Sequence, residues 1–122
     1  MYARAVRSYQ KVHLESASPA RLLDELYERL LRDLAGAAEA IGARDAAKKG
    51  ETINHALAIV NELRRALDHR AAPELTAQLE GLYGFMVARL TRANVAWDGT
   101  ALAEVPPLVV TLRDAFRAAA AR

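Results

Sequence analysis

Hydrophobic positions recur along most of this chain every three to four residues, the period of a helix packed on one side. The cleanest case begins at Pro19. Leu22, Leu23, Leu26, Tyr27, Leu30, Leu31 and Leu34 cover about half of a helical wheel, while Asp24, Glu25, Glu28, Arg29 and Arg32 take the other half. Only Asp33 strays onto the apolar edge. An apolar half-cylinder that wide needs more than one neighbour, so this helix is expected inside a bundle. Ser18 stands at the N-cap position and Pro19 at the first helical position, where a missing N–H costs nothing. The first helix is expected over 18–42, with Ala35, Ala37, Ala38 and Ala40 allowing close packing and Gly42 closing it.

The same period continues downstream. Asp45 reads as the N-cap of a second helix over 45–69, striped by Ile53, Ala56, Leu57, Val60, Leu63 and Leu67 and weakened in its first turn by Gly50. A short link then favours an antiparallel neighbour. Pro73 starts a third helix over 73–97 behind a poor cap, Ala72. Leu75, Leu79, Leu82, Tyr83, Met86, Leu90, Ala93 and Trp97 share one face of it, and Phe85 projects well off that face. The last segment, 101–121, carries Leu102, Val105, Leu108, Val109, Leu112 and Phe116 at helical spacing. Pro106 and Pro107 cannot lie inside a helix without deleting hydrogen bonds. The sequence therefore predicts a helix that begins at Pro106, in preference to a short turn at 101–104 meeting it at a kink. Nothing alternates with period two, so no strand is expected. Ahead of Pro19, Tyr2, Val6 and Tyr9 share one face of about two helical turns, either a frayed end or a plug lying on the bundle. The simplest arrangement is all-α: one domain over 1–122 built as an antiparallel four-helix bundle.

Composition narrows the function. The chain has 122 residues, 52% of them hydrophobic, enough for one domain with a core. It has no cysteine, which excludes disulfides and thiolate metal sites. No apolar run approaches the roughly 20 residues of a membrane span, so no membrane insertion is expected. Arg4 and Arg7 near the start have no apolar segment behind them, so no signal peptide is expected and a cytoplasmic location is the default. A net charge of +2, with acidic residues interleaved among the arginines, asks for no nucleic acid. His13, His55 and His69 are scattered. Glu51 and His55, four apart, form the one pair suited to a shared face, and no Glu-x-x-His pair marks a metal-binding bundle. No catalytic, cofactor-binding or metal-ligating residue is assigned. What remains is apolar surface: Phe85, Ile59 and Val110 lie off their stripes and, if neighbours, would suit an amphipathic or unfolded partner.

In order and spacing the chain resembles the FliS family of flagellar secretion chaperones. The resemblance is carried by Met1-Tyr2-x-x-Ala5-Val6-x-x-Tyr9, Ser16-Ala-Ser-Pro19-x-x-Leu22-Leu23-x-x-Leu26-Tyr27, Asn61-Glu-Leu63 and Ala66-Leu-Asp68. It continues through Leu79-x-x-Leu82-Tyr83-x-Phe85-Met86, Leu90-x-x-Ala93-Asn94, Ala101-Leu-Ala-Glu104-Val105 and Leu112-Arg-Asp-Ala115-Phe116. The resemblance implies a four-helix bundle with a short N-terminal capping helix. It implies a cytosolic export chaperone that binds the disordered C-terminal segment of flagellin, prevents its premature polymerisation and delivers it to the flagellar type III export apparatus. Other flagellar regulatory proteins are further partners it brings to mind, and no cofactor is implied. Carried over residue by residue, it makes Tyr2, Val6 and Tyr9 the cap, and Tyr27, Leu82, Tyr83, Phe85, Met86 and Asn94 the candidates for a partner-binding groove. Phe85 and Asn94 are the strongest of these. The chain departs from the family pattern at Glu28-Arg29, Ala71-Ala72-Pro73, Trp97, Pro106-Pro107 and Phe116. The alternatives are a structural bundle that homodimerises through its off-stripe apolar residues, and a metal-binding bundle enzyme.

Overall fold

A computed structural model describes residues 19–121. Within them the chain is all-helical, with no strand: α1 Pro19–Gly42, α2 Ala46–Arg65, α3 Pro73–Ala96, a short α4 Gly99–Ala103, and α5 Val105–Ala120. Ser18 lies outside the described residues, as do Tyr2, Val6 and Tyr9.

Local chemistry sets most of the helix ends. The Asp45 carboxylate accepts the Lys48 N–H at 3.0 Å and starts α2. Gly42 does not turn the chain; Arg44 does, with φ of 58°, in the left-handed region that a side chain adopts only at a cost. α2 stops at Arg65, three residues or more before the sequence would end it, and Leu67 remains buried in the turn that follows. Ala72 provides α3 with no side-chain cap. At the other end of α3, Trp97 takes a left-handed conformation, φ 55°.

The last segment differs from the sequence expectation. Asp98 caps a separate helical turn by accepting the Ala101 N–H at 3.0 Å, so helix begins at Gly99 rather than at Pro106. That piece ends at Ala103, the chain turns at Glu104, and α5 opens at Val105. Pro106 and Pro107 then fall in the first turn of α5, where N–H groups have no intrahelical partner to lose. The structure follows the alternative with a short helical turn ahead of the last helix, and the prolines lie in that helix's first turn.

α1 is the central element. It packs along α2 and α5 and also touches α4, whereas α3 packs on α2 and α4 and barely meets α5. Leu23, Tyr27, Leu30 and Leu34 of α1 are completely or almost completely buried. So are Ile53, Val60 and Leu63 of α2, Tyr83, Met86 and Leu90 of α3, and Val105 and Val109 of α5. Each such large side chain contributes about 1.5–3 kcal/mol relative to exposure. Gly36 lets α1 and α2 approach closely: a Cβ there would stand 3.1 Å from Thr52 Cγ2. Ile59, read from the sequence as off its stripe, is buried in the same core, because α2 is covered on two sides by α1 and α3.

Candidate functional site

The six groove candidates divide into interior and surface. Tyr27, Tyr83 and Met86 have no exposed area. The two tyrosine hydroxyls share a hydrogen bond of 2.6 Å, and the Tyr27 ring stacks on Phe116 at 5.9 Å between centroids. They tie α1, α3 and α5 together at mid-bundle. Leu82 is half-buried against the core. Asn94 is half-buried and engaged: its main-chain carbonyl and its Oδ1, the latter at 2.8 Å, both accept from Lys49 Nζ. Phe85 is the one of the six with substantial exposure, 44%.

Lys49, inconspicuous among the polar residues at the start of α2, is only 8% exposed. Its ammonium lies 4.4 Å from the centre of the Trp97 ring, and Arg44 stands 5.7 Å from the same ring. A lysine in the polar-looking first turn of α2 thus joins the α1–α2 turn to the end of α3. The burial is affordable because two oxygens and an aromatic face replace its water.

Two regions of the described surface are apolar. The first is a groove of about 610 Å³ between the second half of α1, α4 and the start of α5. Leu31, Ala35, Ala38 and Ile41 form its floor, and Leu102, Ala103, Pro106 and Pro107 its far wall. The small residues Ala35 and Ala38 continue the apolar row of Leu31 at helical spacing and line this groove. The second is the outer side of α3 around Phe85, with Leu82 and Arg89 on the same face at i, i+3 and i+7. The Arg89 guanidinium lies 5.7 Å from the Phe85 ring and bonds Glu104 at 3.3 Å, crossing to the α4–α5 turn. Val95, 79% exposed, lies further along α3 and about 80° round the helix from Phe85.

The charged groups are structural in their placement. Arg117 of α5 pairs with Asp24 and, at 2.9 Å, with Glu28 of α1; Arg113 bonds Glu28 at 2.9 Å. Asp33, the charge on the apolar edge of α1, borders a cavity of about 280 Å³ with His55, Arg29 and Glu62. Burial pushes its carboxyl above the ordinary carboxylate range, against the pull of His55, Arg29 and Arg32. The hydrogen bond with His69 holds Glu80 below that range, and the Ala101 N–H, followed by Arg92, does the same for Asp98. No group of three or more His, Asp or Glu among the described residues is arranged to hold a metal ion; His55 faces Asp33 at 3.9 Å. No helix among the described residues is long and apolar enough to cross a membrane.

Comparison with known proteins gives the family. The pattern of the family described as "Flagellar protein FliS" matches residues 2–122. The chain is 36% identical over 121 residues to the flagellar secretion chaperone FliSB of Pseudomonas aeruginosa, covering 95% of this chain and 96% of that one. It is 35% identical over 112 residues to FliS of Bacillus subtilis, with 92% and 83% covered, and 31% identical over 120 residues to FliS of Salmonella typhimurium, with 94% and 89% covered. The chain belongs to the FliS family of flagellar secretion chaperones, whose members are non-enzymatic.

Proposed function

We propose that this chain is a cytoplasmic export chaperone. It binds the C-terminal segment of flagellin, which is disordered before assembly, keeps that segment from polymerising, and delivers it to the flagellar type III export apparatus. Other flagellar regulatory proteins are candidate second partners on the same surface. The observation that carries this reading is the apolar groove of about 610 Å³ between α1, α4 and α5, in a chain of this family. A disordered amphipathic segment gains by laying its apolar face along such a groove, and the entropy lost on ordering keeps the complex reversible. Reversibility suits a carrier that must release its cargo.

In this reading the whole chain is one domain, an antiparallel four-helix bundle with a short N-terminal cap. The contacts support opposite chain directions for α1 and α5: Arg117 meets Asp24, whereas Pro106 and Pro107 border the groove with Ile41. Tyr2, Val6 and Tyr9 form the cap that covers apolar surface until cargo arrives. Phe85 and Leu82 contribute contact area. Tyr27, Tyr83, Met86 and Asn94 act indirectly, by holding the helices that shape it.

The test is gel filtration of the purified chain mixed with a synthetic peptide of flagellin's C-terminal segment. A soluble stoichiometric complex at micromolar concentration is expected. Separate elution at those concentrations overturns the reading.

A further inference from the structure

Arg89 has a half-used guanidinium. Its Nη1 bonds Glu104 at 3.3 Å, while its Nε is buried and has no hydrogen-bond partner. An N–H withdrawn from water without an acceptor costs free energy that the folded chain has no local reason to spend. The fork of arginine is built to grip a carboxylate by two parallel N–H groups, and Glu104 takes only one, in a partly exposed pair that is easily exchanged. Phe85 stands over the same guanidinium, its ring centre 5.7 Å away and 44% of the residue exposed. Leu82 lies one turn away on the same face of α3, and α5 barely meets α3 there.

We propose that Arg89 is a specificity-determining residue of the partner-binding surface, gripping through its unused Nε edge a carboxylate that the bound segment carries beside an aliphatic side chain lying on Phe85. This rests on the reading of the chain as a chaperone for an apolar, disordered segment. Phe85 turns outward to receive the aliphatic side chain, which uncovers Nε. The incoming Asp or Glu then takes the edge that Glu104 leaves free. Glu104 holds the guanidinium in place before binding and opposes the new carboxylate afterwards, so it tunes affinity downward. The result is a surface that prefers an acidic-aliphatic sequence over a merely apolar one.

The experiment uses the full chain and two peptides of flagellin's C-terminal segment, one unmodified and one with every Asp and Glu replaced by Asn and Gln, titrated by calorimetry. Arg89→Met is expected to weaken the acidic peptide about tenfold and the neutral one hardly at all. Glu104→Gln, a surface change that leaves the fold alone, is expected to tighten the acidic peptide several-fold. Equal losses for both peptides in Arg89→Met would mean a structural role and overturn the proposal, as would unchanged affinity in either variant. If the unmodified chain binds neither peptide, the functional reading itself falls and takes this one with it.

Discussion

Tyr83 and Phe85 are two residues apart on α3, about 200° around the helix, and they live in opposite worlds. Tyr83 is fully buried, its hydroxyl bonded to Tyr27 of α1. Phe85 faces outward beside an arginine whose Nε is unsatisfied. Among the described residues, the buried tips of Tyr27, Tyr83 and Lys49 have partners, and the Tyr27 ring stacks on Phe116. On the outer face an aromatic ring and an N–H donor were left over. A bundle selected only for stability would cover or replace such leftovers, because each costs free energy. A bundle selected to receive another chain has reason to keep them.

The contrast can be tested from its strongest consequence downward. Met86→Ala empties a fully buried position and is expected to cost about 2–5 kcal/mol in a urea titration. Phe85→Ala, one residue away, should cost well under about 1 kcal/mol. If the two losses are comparable, the division between interior and outer face is wrong. Next, Tyr27→Phe or Tyr83→Phe alone removes the hydrogen bond between the two buried hydroxyls, a loss of about 0.5–1.5 kcal/mol. The double variant should lose less than the sum, and a double-mutant cycle reads the difference. Third, Phe85→Ala is expected to weaken binding of flagellin's C-terminal peptide about tenfold, by removing apolar contact area without harming the fold. Unchanged affinity would take Phe85 out of the partner surface.

The smallest effects concern pH. Burial raises the Asp33 carboxyl, so the native chain holds that proton more tightly than the unfolded one. The cost of ionising it in the fold is therefore absent below about pH 4 and fully present above its raised value. Asp33→Asn should raise the melting temperature at pH 7 and leave it unchanged at pH 3. Asp98 runs the other way. Its carboxyl is held down by the Ala101 N–H and Arg92, so its contribution is present above about pH 4 and fades as the pH falls through the depressed value. Asp98→Asn should lower the melting temperature at pH 7 with an effect that shrinks toward pH 2.

Much of the architecture could be read from residue order. The stripe from Leu22 to Leu34 requires a helix with two neighbours, and α1 has α2 and α5. Asp45 caps α2 as its position suggests. The final segment could be read only in part, because Pro106 and Pro107 say where a helix cannot continue but not what precedes it. Asp98 decided that, and its capping role is hidden when the stretch is taken as the end of α3. Among the site candidates, Tyr27, Tyr83 and Met86 match the family's pattern, and motif position alone does not tell a buried side chain from an exposed one. Lys49 and Arg89 were invisible, since lysine and arginine at helical spacing ordinarily mark a solvated face.

Periodicity and caps settled that this is a helical protein, because those features act within a few residues of one another along the chain. Tertiary structure alone decided which apolar side chains vanish and which remain on offer. It brought Arg89 to Glu104 and Lys49 to Asn94 across 15 and 45 positions of sequence. It also opened the groove between α1 and the Pro106-Pro107 turn. Those outcomes depend on how helix faces meet, and a single chain's spacing carries no record of the partner each face will find.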